Sequence, residues 1–545
     1  MRLMHRIREF IKVCMPTAAG CAMLVGSGIS HAAAPGITGP TFNLVAQTAY
    51  LNQPDGSSVY SWGYGCNGAP SGFAPAAITT GTCPSMQIPG PTLIVTEGQA
   101  VSVTLTNNLP TPAGNTSILF PGFQVSATGG VSGLLAQEAV PGGSVTYTFT
   151  ASSPGTRAYY SGTQSDLQVE MGMYGAVIVL PAHVPASCDA GLHAANKGAA
   201  TTHNELDFRL AHAAYDHDKT CYDREYLFQF SEMDPSIHNA ALAQVTAKTG
   251  CTAGTPGCSL EVPTEPYHPA FFMINGRSMP DDMDGNYEVE YPHQPYNGNP
   301  HVHPGEQLLL RIIGQGRWQH PFHEHANHVR ILARDGNLIL SQTDPESLAG
   351  PALFTTTTTP GLAMDGIFYY TGRGLNWDMY AHTPRTDRPD PDTVAANQDP
   401  PCYPDANGYN TGYDPTSGAL THQEVWGAVN FYEWCADHNK PLEVAPFGDV
   451  ASGGPVTLPD PNILTNGNWF GGSPYLGPDA TSRATGPNSA YQPANTQANP
   501  SNERGFAFMW HSHNEREITT NNVFPGGMMM MLLVDSREFV IDESN

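Results

Sequence analysis

The chain has 545 residues and a formal net charge of −26 at pH 7, and only 13% of its residues are charged. This acidity excludes nucleic acid as a partner, because phosphate backbones bind basic surfaces. With 56 glycines and 48 prolines, the composition disfavours long helices and favours short strands joined by turns, and the length suffices for several domains.

Residues 1–32 are typical of a secretory signal peptide. Four basic residues up to Lys12 precede an apolar run that ends near Ile29, and Ala32 closes a small-residue cleavage sequence. We therefore expect a secreted or periplasmic protein. The run is too short and too rich in glycine for a membrane span, and no other stretch qualifies, so no membrane span is predicted.

Eight cysteines follow the predicted signal peptide, and an even number in an exported chain indicates disulfides. Neighbouring positions suggest the pairs 66–83, 188–221, 251–258 and 402–435, although eight cysteines permit many other pairings. If all of them pair, no thiolate remains to bind a metal.

Residues 36–185 are predicted to form an N-terminal β-sandwich. Apolar and polar residues alternate over 100–106, which is typical of a half-buried strand, and further strands are predicted at 144–149 and 172–180. A similar order recurs in residues 220–385, with strands at 271–274, 307–313 and 329–332. This approximate internal repeat predicts a second sandwich.

The remaining residues, 386–545, are predicted to form a C-terminal segment of the same kind. Residues 479–503 are rich in Asn, Ser, Pro and Ala, which indicates a long surface loop. Order is expected to return at Gly505, and the run from Met528 to Leu533 is typical of a buried strand.

Two histidine motifs stand out, His320-Pro-Phe-His323-Glu-His325 and His511-Ser-His513. Side chains alternate between the faces of a strand, so each pair of alternate histidines shares a face. Two such strands side by side would gather four imidazoles, with His320 nearby. Imidazole suits copper and zinc, so these five histidines are predicted metal ligands.

These residues resemble the multicopper oxidases. The likeness rests on Pro89-Gly90-Pro91-Thr92 with Glu97-Gly98, on the first histidine motif, and on the second motif followed by Gly527-Met528. The resemblance implies an all-β fold of tandem cupredoxin-like Greek-key β-sandwich domains, and a copper-dependent oxidoreductase acting on metal ions or a small reducing substrate. It also implies the role of each histidine: a mononuclear blue copper for His320, and a trinuclear copper cluster for His323, His325, His511 and His513.

The chain departs from that family pattern at both copper sites. Ser512 stands where the blue-copper cysteine is expected, and Glu517 stands where the next histidine is expected. A hydroxyl cannot replace the thiolate that carries the electron. Half of the histidines of the trinuclear cluster are missing as well, and the residues at their positions are Leu119, Pro121, Tyr160 and Gly162. We therefore expect fewer than four copper ions, with zinc as the alternative metal.

Two functions remain open on these observations. One is an exported copper-binding oxidoreductase with a reduced histidine site, and the other is a non-catalytic metal-binding or structural protein on a degenerate oxidase scaffold. The alternative to a metal site is that the histidines form a hydrogen-bonded polar cluster. His328 is expected to support the site without binding metal, and Met528 to Met531 to form core strand. Full four-copper laccase activity is not expected, and no catalytic residue is assigned.

Overall fold

A computed structural model of the chain describes residues 34–76, 78, 81–189, 207–302, 306–369, 472–475, 505–535 and 541. The predicted signal peptide, the predicted 402–435 disulfide and the predicted loop at 479–503 lie outside these residues. Among the helices of the described ranges, none is both long enough and apolar enough to cross a membrane.

The N-terminal half is a sandwich of two sheets. Its strands are β1 (Gly36–Thr38), β2 (Thr41–Asn52), β3 (Ser58–Cys66), β4 (Phe73–Ala74), β5 (Leu93–Thr96), β6 (Ala100–Asn107), β7 (Ser126–Gly129), β8 (Val131–Ser132), β9 (Gln137–Glu138), β10 (Ser144–Thr150), β11 (Gly155–Tyr160) and β12 (Tyr174–Leu180). One sheet has the order β11-β12-β5-β1-β4 and the other β3-β2-β6-β10-β7, while β8 and β9 form a separate hairpin.

Alternation along the strands builds the core of this sandwich. In β6, Val101, Val103 and Leu105 are buried and the residues between them are partly exposed. Trp62 and Tyr147 are completely or almost completely buried among them. The half-buried strand predicted at 100–106 is therefore confirmed, as are the strands predicted at 144–149 and 172–180, the second of which begins at Tyr174.

A second sandwich follows. Its strands are β13 (Arg224–Met233), β14 (Phe271–Ile274), β15 (His301–Val302), β16 (Gln307–Gly314), β17 (His320–Glu324), β18 (Val329–Arg334), β19 (Asn337–Leu338), β20 (Ala352–Leu353), β21 (Thr355–Thr358), β22 (Ala363–Tyr369), β23 (Gly472–Tyr475), β24 (Gly505–Ser512) and β25 (Met529–Asp535). One sheet has the order β14-β13-β16-β22-β18-β19 and the other β15-β25-β24-β17-β21, with β20 and β23 pairing at β18 and β24.

Strands β24 and β25 complete this second sandwich. They are the only long strands that the structure describes in the predicted C-terminal segment. Strand β24 pairs with β17 in the same sheet. Phe322, Trp510 and Met530 from this sheet pack against Phe228 from the facing sheet in one buried cluster. The two histidine motifs therefore belong to one domain, because their strands are direct neighbours.

Few helices accompany the strands in the described ranges. They are α1 (Ser165–Gln168), α2 (Ala186–Asp189) and α3 (Pro235–Ala247), with 3-10 turns η1 (Thr111–Ala113), η2 (Asp218–Thr220) and η3 (Asp281–Met283). Helix α3 begins where Asp234 accepts a hydrogen bond from the backbone N–H of Ser236, with Pro235 in its first turn. Its Ile237 and Ala241 pack into the core of the N-terminal sandwich, so α3 ties the two sandwiches together.

Buried polar groups also cross between the sandwiches. The Asp365 carboxylate accepts hydrogen bonds from the backbone N–H of Thr156 at 3.1 Å and from the Tyr215 hydroxyl at 2.6 Å. Arg311 lies 3.7 Å from the same carboxylate and donates to Glu225 at 2.8 Å. Because buried charges need partners, this network fixes how the two domains meet.

Three disulfides are present in the described part of the chain, Cys66–Cys83, Cys188–Cys221 and Cys251–Cys258. These predicted pairs are confirmed. The prediction of an all-β fold of tandem sandwich domains is confirmed as well.

Candidate metal centre

The register of the second sandwich aligns the histidines of the two motifs. His323 on β17 lies opposite His511 on β24, and His511 lies opposite Met529 on β25. On the other side of β17, His323 pairs with Thr355 on β21. Paired residues place their side chains on the same face, so these four form a row across the sheet.

Four imidazoles cluster around this row. The ring centroids of His323 and His325 are 4.8 Å apart, and those of His325 and His511 are 5.2 Å apart. His513 completes the cluster, with its centroid 5.0 Å from that of His323 and 5.5 Å from that of His511. Each motif therefore contributes two rings, one from its strand and one from the residue just past the end of that strand, as the alternation of the motifs predicts.

The spacing of the ring nitrogens fits a bound metal ion. Nε2 of His511 lies 3.3 Å from Nε2 of His325. Two nitrogens about 2.0–2.1 Å from one tetrahedral metal stand about 3.3 Å apart, which matches this separation. In the described part of the chain, no three His, Cys, Asp or Glu side chains already form a converged metal site. The rings are thus a cluster of donors and not a completed coordination sphere.

Neighbouring groups hold three of the histidines in place, through the rings of His511 and His323 and through the backbone of His325. His511 donates from Nδ1 to the carbonyl oxygen of Ser512 at 2.7 Å, and Nδ1 of His323 lies 2.9 Å from the hydroxyl oxygen of Thr355. The indole N–H of Trp510 donates to the carbonyl oxygen of His325 at 3.0 Å. Metal-binding histidines commonly use one ring nitrogen for such a hydrogen bond and the other for the metal.

Burial keeps two of these rings neutral, those of His323 and His511. Burial, opposed by a hydrogen bond with the Phe354 backbone and assisted by the adjacent His511 and His513, lowers the pKa of His323 to about 4. Burial also lowers the pKa of His511. Metal binds the neutral imidazole, so both side chains are in the ligating form at pH 7.

One edge of the cluster faces solvent. His323, His325 and His511 are buried, whereas His513 is exposed. Phe354 is 45% exposed, and its ring centroid lies 5.7 Å from that of His323 and 5.2 Å from that of His328. His513 and Phe354 thus lie at the solvent-exposed edge of the cluster.

His320, the fifth predicted ligand, makes different contacts. It is completely buried, and its Nδ1 and Nε2 each lie 2.9 Å from a carboxylate, those of Glu517 and Glu232 respectively. Burial alone would lower the pKa of His320, but the hydrogen bonds to the two glutamates outweigh it and raise the pKa to about 9. The structure therefore gathers four of the five predicted ligands and pairs His320 with acids.

Of the three glutamates close to the motifs in sequence, none joins the rings directly in the described structure. Glu324 is buried and accepts a hydrogen bond from Thr356 at 2.6 Å, and burial raises its pKa to about 8. It alternates with His323 and His325 along β17 and so lies on the opposite face. Glu515 is exposed, and Glu517 binds His320.

The first-domain positions that lack histidine pack against one another. Leu119 and Tyr160 form an isolated β-bridge, and a Cβ added at Gly162 would lie 2.8 Å from the Leu119 side chain. The hydroxyl of Tyr160 reaches Gly361 of the second sandwich, where an added Cβ would lie 3.1 Å from it. Leu119 and Gly162 are therefore in close contact within the first sandwich, and Tyr160 contacts the second.

Three residues at or near the cluster are not predicted from the sequence as part of the site. Thr355 belongs to a run of threonines that predicts only a strand, and Phe354 precedes that run. Glu232 lies 88 residues before His320 in the chain. Alternation with a polar hydroxyl could have suggested Thr355, but no local pattern connects Glu232 or Phe354 to the histidines.

Comparisons with known proteins match part of the chain. A family model described as multicopper oxidase matches residues 78–183. Laccase abr2 of Aspergillus fumigatus is 37% identical over 98 residues, which cover 17% of this chain and 16% of that enzyme. A copper-containing nitrite reductase of Pseudomonas chlororaphis is 38% identical over 96 residues, covering 17% of this chain and 25% of that enzyme. The matches thus span a quarter or less of these two relatives.

Among solved structures, the blue copper oxidase from Nitrosomonas europaea matches with a TM-score of 0.42 and 14% identity over 91% of this chain and 85% of that one. The curated relatives are a laccase and a copper-containing nitrite reductase. Over residues 78–183, the chain is similar to the multicopper oxidases.

Proposed function

We propose that this chain is an exported copper-binding oxidoreductase with a reduced histidine site. The ligands are His323, His325, His511 and His513, and the site holds fewer than four copper ions. The observation that carries the proposal is the meeting of four imidazoles from β17 and β24, with two Nε2 atoms 3.3 Å apart.

The chemistry of the donors supports copper. An all-imidazole set suits copper and zinc, and copper binds nitrogen donors more tightly than zinc does. Met529 lies opposite His511 in the next strand, so a soft thioether is the next side chain along the row. Copper bound there would supply one-electron redox and Lewis-acid chemistry.

The chain's own residues prepare this site in two ways. Thr355 and the Ser512 carbonyl hold the rings of His323 and His511 in place, and burial keeps those rings neutral. The exposed edge at His513 and Phe354 supports access by a metal ion or a small reducing substrate. Export is supported by the three disulfides, which persist in oxidising compartments.

A copper titration followed by metal analysis and EPR tests the proposal. We expect roughly one or two copper ions per chain without strong blue absorbance. His323→Gln and His511→Gln should lose that copper, and His328→Gln, a half-buried neighbour, should keep it. A content near four with intense blue colour would refute the reduced site. Oxygen consumption with a phenol, Mn²⁺ or Fe²⁺ then tests catalysis, and competition with Zn²⁺ tests the choice of metal.

The second candidate is a non-catalytic metal-binding or assembly protein on the same scaffold. It is favoured by the apolar contact of Leu119, Tyr160 and Gly162, which leaves the N-terminal domain without imidazoles at those positions. This function predicts that replacing His323 and His325 leaves the biological role intact. Protein that binds no copper, with unchanged stability in the histidine variants, would support it.

A further inference from the structure

Four buried side chains meet at the position where the family pattern expects the blue copper. His320 lies between Glu517 and Glu232, with 2.9 Å from each ring nitrogen to the nearer carboxylate oxygen. The Ser512 hydroxyl donates to the same Glu517 oxygen that contacts His320. The exposed fraction is 2% or less for each of these four residues.

These residues do not fit a blue copper. Such a site needs a thiolate and two imidazoles, and this position supplies a hydroxyl, one imidazole and two carboxylates. Both nitrogens of the imidazole face carboxylate oxygens, and the Glu517 oxygen lies directly against Nδ1. The donors are hard oxygens, and they already satisfy one another through hydrogen bonds.

We propose that Glu232, His320, Ser512 and Glu517 form a buried clamp that replaces the blue copper and holds the two sheets of the second sandwich together. Glu232 belongs to β13 in one sheet, and His320 and Ser512 belong to β17 and β24 in the other. The clamp thus spans the sandwich directly beneath the strands that present the four clustered histidines on their other face.

The clamp extends to the turn before β17. Glu232 accepts hydrogen bonds from the backbone N–H groups of Arg317 at 2.6 Å and Trp318 at 2.8 Å. These contacts fix the entry of β17, two residues before His320. On the other side, Asn514 donates to Glu517 at 3.0 Å and secures the loop that follows His513.

The clamp also reaches the N-terminal sandwich. The Tyr267 hydroxyl lies 3.3 Å from Glu232 and donates to Glu170 at 2.6 Å. Glu170 follows α1 in the N-terminal domain, and it accepts a hydrogen bond from the backbone N–H of Asp234 at 2.6 Å. A continuous series of buried contacts therefore runs from the first domain to the loop that carries His513.

This position supplies no thiolate to hold an electron-transfer copper, so it lacks the relay that the family pattern places beside the four-histidine site. If copper occupies that site, its reductant has to act at the exposed edge bordered by His513 and Phe354. This consequence rests on the proposed function. The clamp itself does not, because its contacts involve none of the four clustered rings.

The test compares wild type, His320→Gln and the control His328→Gln by thermal unfolding, copper content and visible spectrum. His320→Gln leaves two buried carboxylates without their cation, so Tm should fall by roughly 5–10 °C while copper per chain stays unchanged. His328→Gln should match wild type in both measurements. Intense blue colour in wild type, or loss of one copper ion in His320→Gln, would overturn the proposal, as would an unchanged Tm.

If His320→Gln does not fold, Glu517→Gln gives the same comparison, because it keeps the size of the side chain and a partner for Ser512 while removing one charge. A lowered Tm with unchanged copper supports the clamp, and loss of copper contradicts it. His323→Gln changes a proposed copper ligand that does not belong to the clamp, so it distinguishes this proposal from the proposed function. If no protein in the series binds copper, the proposed function fails, and the Tm differences and the absence of blue colour still decide the clamp.

Discussion

His323 and His511 lie directly opposite each other on adjacent strands, with ring centroids 5.6 Å apart. Thr355, on the far side of His323, is 2.9 Å from its Nδ1 and sets the direction in which its Nε2 points. We expect Thr355→Val to weaken copper binding roughly tenfold, because the ring loses the hydrogen bond that orients it. Thr357→Val on the same strand is the matched control, since Thr357 is exposed. Equal dissociation constants for the two variants would contradict the role of Thr355.

Copper binding should persist in mild acid. Protons compete with metal for imidazole, but burial and the neighbouring rings lower the pKa of His323 to about 4, and burial lowers that of His511. Most of the copper bound at pH 7 should therefore remain at about pH 5.5, where a free histidine is mostly protonated. Metal analysis after dialysis across this range is the measurement. Release centred on the ordinary histidine pKa would count against a buried site.

The pH dependence of stability should show that the folded protein holds His320 protonated. Its pKa is raised from about 6.5 in the unfolded chain to about 9 in the folded chain by hydrogen bonds to Glu232 and Glu517, which outweigh burial. The folded state thus binds the proton more tightly, so this stabilisation is complete below about pH 6.5 and is lost as the pH rises through about 9. The difference in Tm between wild type and His320→Gln should shrink over that interval. A difference that stays constant up to pH 10 would show that the ring is not held protonated.

The interface between the two sandwiches should depend on Asp365. Its carboxylate accepts hydrogen bonds from Thr156 and Tyr215 and lies near Arg311, all of them buried. We expect Asp365→Ala to lower the free energy of unfolding by about 3 kcal/mol, because it leaves a buried cation and three donors, the Thr156 N–H, the Thr156 hydroxyl and the Tyr215 hydroxyl, without this acceptor. Chemical denaturation measures the change. Asp344→Ala, in an exposed turn, is the control and should leave the denaturation midpoint unaltered.

Much of the architecture could be predicted from local pattern. The alternation of Val101, Val103 and Leu105 identifies a half-buried strand without any knowledge of its neighbours. The two-residue spacing within each histidine motif likewise predicts which rings share a face. These inferences hold because strand periodicity is a property of the backbone and does not depend on distant residues.

Other features depend on contacts that no short window of sequence contains. Glu232 and His320 lie in different sheets, and only the packing of the sandwich brings them within hydrogen-bond distance. The predicted separation between residues 220–385 and the C-terminal segment rests on chain order, yet β24 inserts beside β17 and completes the same sheet. Spacing alone also groups His320 with the other histidines, because the carboxylates that engage it come from elsewhere in the chain.

The insertion of β24 beside β17 has a consequence for the order of events during synthesis. His325 and His511 are 186 residues apart in sequence, yet their ring nitrogens touch. A ribosome adding about 5–20 residues per second therefore exposes the first pair of imidazoles for roughly 10–40 seconds before the second pair exists. During that interval the sheet lacks its central strand, and any metal captured by the first motif has only half of its donors. Loading of the complete site is thereby coupled to the arrival of the last strands, and a chain interrupted before β24 is left without it.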